Sequence, residues 1–571
     1  MARDKILTSQ DVVDLMARDR AVVVYRGNVL DLTNWLQRHP GGDKAVLHMV
    51  GRDATDEMIA YHGRDTVKTF MKWRIGRVEG EWENLLPPIQ GAKYKSVYTK
   101  GDTKLENKLD RSDTSDVSLS SSSSISSMDE KKNTSISLTK SVKPSILTSK
   151  GEVNPKVPQN IMISKENKDH IFPLYEDETI VDPKILVEKY DNQLSQDDVL
   201  NFPNLDYTTQ RRLRKRYNEL HHLIIKNGFY KCNYWNYVRE IVKLATLFLY
   251  SLSFYKLGYL KISALLLGIT WQQGTFIAHD AGHLSITHNY EIDNIFGMLI
   301  ADFFGGLSLG WWKKNHNVHH LITNDPVHDP DIQHLPFFAV STRLFNSVYS
   351  TYYEKVLDFD APSKFLIKFQ QYLYYPILCF GRFNLYRLSW TYIIAGEGPK
   401  KGKAAWFRYF EFVGLSFFSY WYFYLMVYKN LNTNWERFSF LMISNIASFI
   451  VHVQITLSHF AMSTSDLGVS ESFPMRQLRT TMDVDCPEWL DFFHGGLQFQ
   501  AIHHLFPRLP RHNLRRVQPF VVDFCKDVGL KYSIYGFGEG NEIVIGKLGD
   551  IAKQWSILSD AIKKFELDEF Q

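Results

Sequence analysis

Cysteine is scarce in this 571-residue chain: Cys232, Cys379, Cys486 and Cys525 stand far apart, with no C-x-x-C pair among them. That spacing excludes a zinc ribbon, a dithiol redox pair and a disulfide framework, and it suits a reducing compartment. Charge of one sign is lacking too. With 66 Lys and Arg against 62 Asp and Glu, the net +4 is too small to argue for a nucleic-acid partner. The N-terminal stretch MARDKILTSQDVVDLMARDR has no apolar core of the kind a secretory leader needs, so no cleaved leader is expected. The mean hydropathy of −0.24 is that of a soluble protein, but it averages very apolar windows with very polar ones and hides both.

Read locally, the chain divides into three parts. Residues 1–85 alternate short helical and extended patterns, with a helix over Ser9–Arg18, a strand over Ala21–Tyr25 and a turn after it, and predict a small α+β domain. Residues 92–175 turn to Ser, Lys, Asp and Thr, including SLSSSSSISS, a composition that cannot bury enough apolar surface to offset chain entropy, so a disordered tether is expected. Residues 200–571 predict an all-α membrane domain. After the basic run RRLRKR (Arg211–Arg216), apolar windows at about 239–257, 259–278, 406–428 and 437–459 approach the ~20 residues that cross a bilayer. Their short connections pair them into two transmembrane hairpins, four spans in all, which leaves residues 279–405 and 460–571 on one face, the cytosolic one. Weaker apolar stretches at 292–310 and 366–380 are broken by Asp293, Asp302, Gln370 and Gln371, and read as interfacial or re-entrant.

Two sets of histidines stand out. In the first domain, His39-Pro40-Gly41-Gly42 is followed by His62 in GRDATDEMIAYH. Two imidazoles on opposite faces of a porphyrin give a six-coordinate iron that passes electrons and offers no open site to oxygen. This pattern resembles the cytochrome b5 domain, and the resemblance implies a haem b held by His39 and His62, with His48 a bystander. The acidic group Asp53, Asp56 and Glu57 is a candidate docking edge for a basic redox partner.

In the second domain, 14 of the 20 histidines lie between His279 and His512. His279 and His283 are spaced i, i+4; His316, His319 and His320 are spaced i, i+3, i+4; Gln500 leads His503 and His504 by the same rule. Each spacing puts the side chains on one helical face, where they can share a metal. Seven imidazoles exceed the four ligands of one tetrahedral zinc, which argues for two ions. The carboxylate-rich route to such a pair is absent, since the one Glu-x-x-His, Glu219 to His222, is not repeated. A histidine-rich di-iron centre, suited to activating dioxygen against an unactivated C–H bond, remains.

HDAGH, HNVHHLITNDPVHDPDIQHLP and FHGGLQFQAIHHLFPRLP resemble the three histidine boxes of membrane fatty-acid and sphingolipid desaturases, over about residues 205–545. Glutamine at Gln500, with an N-terminal cytochrome b5 domain, resembles the front-end subgroup. The serine-rich linker and the box set together resemble fungal sphingolipid Δ8-desaturases. The resemblance implies metal ligation by His279, His283, His316, His319, His320, His503 and His504, with Gln500 as a weaker oxygen ligand and His459, at the end of the last apolar window, as a further one. It also implies O2 as co-substrate, electrons from NAD(P)H through a cytochrome b5 reductase, a ceramide or sphingoid-base substrate and an endoplasmic reticulum membrane. Asn324, Asp329 and Asp331 are candidates for orienting ligand rings. Trp271, Gln272, Gln273, Thr275 and Trp312 are candidates for shaping a tunnel mouth, and His288, His328, His334, His452, His494 and His512 are read as supporting or packing residues. A fatty-acyl front-end desaturase, a lipid hydroxylase and a metal transporter are the competing readings; histidines clustered on one membrane face disfavour the last.

Overall fold

The computed structural model describes residues 4–95 and 183–568. The expected tether lies outside the described residues from position 96 onward. The first domain is built on a four-stranded sheet of β1 (Ile6–Leu7), β2 (Val22–Tyr25), β3 (Asn28–Asp31) and β4 (Arg74–Val78) in the order β1-β4-β3-β2, with β1 parallel to β4 and the other pairs antiparallel. Arg26 and Gly27, at φ 49° and 70°, supply the left-handed pair that closes a two-residue hairpin between β2 and β3. Strand β2 has no polar alternation because both its faces are covered. Val22 and Val24 pack on α1 (Ser9–Met16) through Val12 and Met16, while Val23 and Tyr25 join Leu30, Val46 and Phe70 on the other side. That second face carries α2 (Asp43–Leu47), α3 (Thr55–Tyr61) and α4 (Arg64–Thr69); His39 precedes α2 and His62 ends α3.

Among the described residues, the second domain is helical apart from two short two-stranded ladders. After α5 (Pro183–Asn201) and α6 (Tyr207–Lys226), α7 (Tyr234–Lys256) and α8 (Leu260–Gly282) form an antiparallel pair of 23 residues each, about 35 Å long. Among the described residues, two helices are by length and composition apolar enough to cross a membrane, Phe407–Lys429 and Asn434–Phe460. The pair α7 and α8, read from the sequence as spans, has the length but is more polar: α7 carries Arg239, Glu240 and Lys243, and α8 carries Gln272, Gln273, His279 and Asp280. A third apolar unit is bent: α9 (Tyr290–Met298) runs on as a π-helical turn to Phe304 and meets α10 (Leu309–Leu321) at 116°, at the stretch whose aspartates had suggested a broken segment. Asp302 is part of that bend, where its carboxylate accepts from Leu309 N, and Ser308 caps α10 by accepting from Trp311 N at 3.0 Å. Outward-facing Leu249, Tyr250, Phe412, Phe417, Tyr420 and Trp435 give the bundle an apolar, aromatic exterior.

The α8 helix fixes the position of everything that follows, because it reaches from this exterior to the histidines. Gly268 lets it cross the Asn434–Ile446 helix at contact distance; a Cβ there would collide with Ser444 O and Ala447 Cβ. Gly268→Leu is therefore expected to cost about 1–3 kcal/mol by overpacking. A thermal melt of the detergent-solubilised protein should show a lower midpoint, while Leu265→Ala, at a 47% exposed position on the same helix, should leave it near wild type.

Candidate metal centre

The C-terminal turn of α8 presents His279 and His283, ring centroids 4.7 Å apart. Helix α10 presents His316, His319 and His320; the short helix Gln500–Leu505 adds Gln500, His503 and His504; the helix Phe449–Phe460 adds His459 near its end. From these four helices come two clusters, each with ligand atoms within 4.8 Å of one another: His279, His283, His316 and His503 in one, His319, His459 and His504 in the other. His316 and His319 also converge with Asp331. His320 lies between the clusters, its ring 4.0 Å from that of His504 and 4.9 Å from that of His503.

Their hydrogen bonds explain why these rings suit metal. His319 Nδ1 donates to Asp329 at 2.8 Å, His316 Nδ1 to Asp331 at 3.3 Å and His504 Nδ1 to Gln477 Oε1 at 2.9 Å. The proton is thus held on one nitrogen and the lone pair of the other points inward. His319 Nε2 then meets His459 Nε2 at 3.3 Å, and His316 Nε2 meets His320 Nε2 at 3.0 Å. Nε2 of His279, His283, His503 and His504 and Oε1 of Gln500 are buried without a hydrogen-bond partner among the described residues. Such groups cost roughly 1–3 kcal/mol each when left unsatisfied, and a cation is the partner that inward-facing lone pairs accept. Burial, reinforced by neighbouring rings, pushes His283, His320, His503 and His504 well below the usual imidazole range, which favours the neutral, ligating form. Burial acts on His319 as well, but Asp329 and Asp331 outweigh it and raise this ring, making it an especially basic donor. The donor set fits two metal ions.

Around the cage, Asn324 sits in the left-handed region at φ 60°, donates to His459 O at 2.7 Å and Thr480 O at 3.1 Å, and gives its own N–H to Asp329. It fastens the loop after α10 to the helix that bears His459. Trp312, read from the sequence as a tunnel-mouth candidate, stacks on His316 at 4.5 Å and covers Gly282. Trp271 is buried in the helix core with its indole N–H on Phe304 O, Gln272 donates to Phe493 O, Gln273 to Gln272 and Thr275 to Trp271 O. His452 packs against Gly381, His494 accepts from Gln454, His334 packs on Phe460, and His512 donates to Glu240.

The sequence reading missed three supports. Gln477 holds the His504 proton and donates to His320 O at 2.8 Å, joining the second and third boxes. Arg511 pairs with Asp280 at 2.6 Å and donates to Phe276 O, tying the segment after the third box to α8; its position in PRLPRH, directly after that box, was the available signal. Tyr61 is the third, and it belongs to the other domain.

In the first domain, His39 Nδ1 donates to Gly42 O at 2.6 Å and His62 Nδ1 to Met58 O at 2.9 Å, so both rings keep Nε2 as acceptor. Their centroids are 6.1 Å apart, room for one ion with a nitrogen at ~2 Å on each side. Burial lowers His39 and, with the neighbouring His39 ring, takes His62 to about 3, so both stay neutral. This arrangement fits a bis-imidazole haem. His48 is wholly buried beside His328 and Gln90, apart from that pair.

The two sites are neighbours. Tyr61, adjacent to His62, donates to His320 O at 3.3 Å and sets its ring 6.0 Å from the His320 ring. Ala60 is buried in the same core as Tyr217, Phe473 and Leu505 of the second domain. The acidic group read as a candidate docking edge for a basic partner is met by the chain's own basic run: Arg214 pairs with Asp53 and, at 3.2 Å, with Asp56, to which Asn218 also donates.

Comparison with known proteins agrees with this division. A cytochrome b5-like haem/steroid binding domain model matches residues 8–79, and a fatty acid desaturase model matches residues 258–536. A Delta 8-(E)-sphingolipid desaturase of Candida albicans is 63% identical over 99% of this chain and 98% of its own length. One from Kluyveromyces lactis is 56% identical over 98% of this chain and 95% of its own. An acyl-lipid (9-3)-desaturase of Borago officinalis is 37% identical over 51% of this chain and 64% of its own.

Gln477→Leu removes the acceptor that fixes the His504 tautomer. It is expected to weaken metal retention about 10–100-fold, read as faster loss of bound iron to a chelator, with the haem Soret band unchanged.

Proposed function

The chain belongs to the fatty acid desaturase family, joined on one polypeptide to a cytochrome b5-like haem domain, and from that premise we propose that it is a sphingolipid Δ8-desaturase. The reaction places a double bond in the long-chain base of ceramide, in the E geometry that the names of its relatives carry. The net change takes one hydrogen from each of two adjacent methylenes and, with O2, two electrons and two protons, leaves the alkene and two waters.

The observation that carries this reading is the contact between the two sites, where Tyr61 joins the segment ending in His62 to the backbone of His320. Iron in the cage would supply oxygen activation, and haem in the first domain would supply electrons one at a time. The chain's residues set the conditions. His279, His283, His316 and His503 would hold one ion and His319, His459 and His504 the other, with His320 and Gln500 as further donors beside them. Asp329, Asp331 and Gln477 keep protons on the outer ring nitrogens so that the inner ones stay free. His39 and His62 would hold the haem iron through their free Nε2 atoms. Arg214 and Asn218 keep the haem domain against the cage, an arrangement that shortens the electron's path and makes a diffusing donor unnecessary at this step.

Electrons reach the haem from NAD(P)H through a cytochrome b5 reductase. The protein sits in the endoplasmic reticulum membrane with four spans, α7 and α8 forming one hairpin and the apolar pair Phe407–Lys429 and Asn434–Phe460 the other, with both metal sites on the cytosolic face. The aromatic exterior supports the membrane setting.

Expression in a host without sphingoid-base unsaturation, followed by mass spectrometry of long-chain bases and fatty acids, tests the assignment. A Δ8-unsaturated base is expected from the wild type, and none from His503→Ala or His39→Ala. Unsaturation confined to fatty acyl chains would move the protein to the acyl-lipid class named for the Borago relative, and a hydroxylated base would move it to hydroxylases.

A further inference from the structure

We propose that Arg508, four residues past the third histidine box, is a carboxylate-binding residue for the haem of the first domain, so that the haem slot is completed by the second domain. The proposal rests on the haem reading of His39 and His62.

Haem b is amphipathic: an apolar macrocycle with two carboxylates at one edge. The slot between His39 and His62 backs onto an apolar cluster that includes Leu32, Val46 and Phe70, the Phe70 ring lying 5.1 Å from that of His62. The macrocycle belongs against that cluster, which leaves the carboxylates at the mouth, where burying an unpaired charge would be costly. The mouth is bordered by the second domain. Asn317 donates to Gly41 O at 3.1 Å, and Arg508 reaches so close to Gly63, the residue after His62, that a Cβ there would lie 3.0 Å from its Nη2.

Three lysines near this edge already have side-chain partners. Lys44 pairs with Glu354, Lys314 pairs with Glu397 at 2.8 Å, and Lys313 donates to Asn294 at 3.1 Å over the Tyr290 ring. No ion pair forms at Arg508 among the described residues, and its Nε is buried with no partner. Its one side-chain contact among the described residues, Nη2 to His288 Nδ1, is long at 3.4 Å, and that imidazole also faces the carbonyls of Leu284 and Tyr230, each at 2.7 Å. A planar guanidinium with unused donors, set beside a haem ligand, is the complement of a carboxylate.

The test uses the full-length protein, loaded either with haem or with haem dimethyl ester, and follows transfer of each to excess apomyoglobin by the Soret band. In the wild type, the ester is expected to leave about tenfold faster than haem, the loss of one charge-assisted contact. In Arg508→Gln, haem itself should leave about tenfold faster, and the ester-to-haem ratio should fall towards one. Arg508→Lys, which keeps the cation, should retain most of the wild-type ratio. An unchanged ratio in Arg508→Gln overturns the proposal. So does a ratio that collapses equally in Arg508→Lys, since loss of domain contact rather than of charge would then explain both. Absence of a bis-imidazole spectrum that depends on His39 and His62 would instead remove the haem reading itself. Neither readout passes through desaturation.

Discussion

Inward-facing lone pairs are the constraint on which this structure depends. Rings from four helices are held by outer hydrogen bonds so that their free nitrogens meet in a buried space. Without a cation this arrangement carries several unsatisfied polar atoms and opposes the packing around it. The helices must therefore be held in place by other means, and the supports follow from that need. Asp329 is fully buried because it serves both His319 and the backbone of Asn324, and Arg511 is buried because Asp280 needs a partner beside the first box.

The same constraint explains the shape of the helical domain. A helix that both meets lipid and delivers ligands must grow polar towards one end, and α8 does so, from Leu265 and Leu266 to His279 and Asp280. Helix α10 cannot do this as a straight continuation of α9. The 116° bend turns it across the ends of its neighbours, so that His316, His319 and His320 lie over rings arriving from other directions. The bend sets buried polar backbone near Asp302 and Ser308, where side chains accept the freed N–H groups.

Much of this was legible because the relevant signals are local. The i, i+3, i+4 spacing of the boxes follows from helix geometry, and the pattern from His39 to His62 fits within one small domain. His459 lies in no box and was singled out by the family resemblance together with its place at the end of an apolar window, and the structure sets its ring 4.5 Å from that of His319. What sequence reading could not reach were contacts between distant segments. Gln477 lies in no box, and its two bonds to box residues appear only once residues 320, 477 and 504 are brought together. The acidic face at Asp53 and Asp56 was visible, but its partner proved to be the basic run about 160 positions further on. Spans drawn from hydropathy alone also treated α7 and α8 like the later pair, although the polar ends that bring them to the cage lower their apolarity.

Ala60 and Tyr61 belong to two structures at once. They end the helix that leads into His62, and they close a wall of the core formed by Tyr217, Phe473 and Leu505. By thermodynamic linkage, any ligand that stabilises the folded haem domain also stabilises the core that this helix closes. A haem held between His39 and His62 would thereby act as a structural ligand for helices beyond its own domain. Cofactor supply would then set how much of the helical domain stays folded, and not only whether electrons reach it.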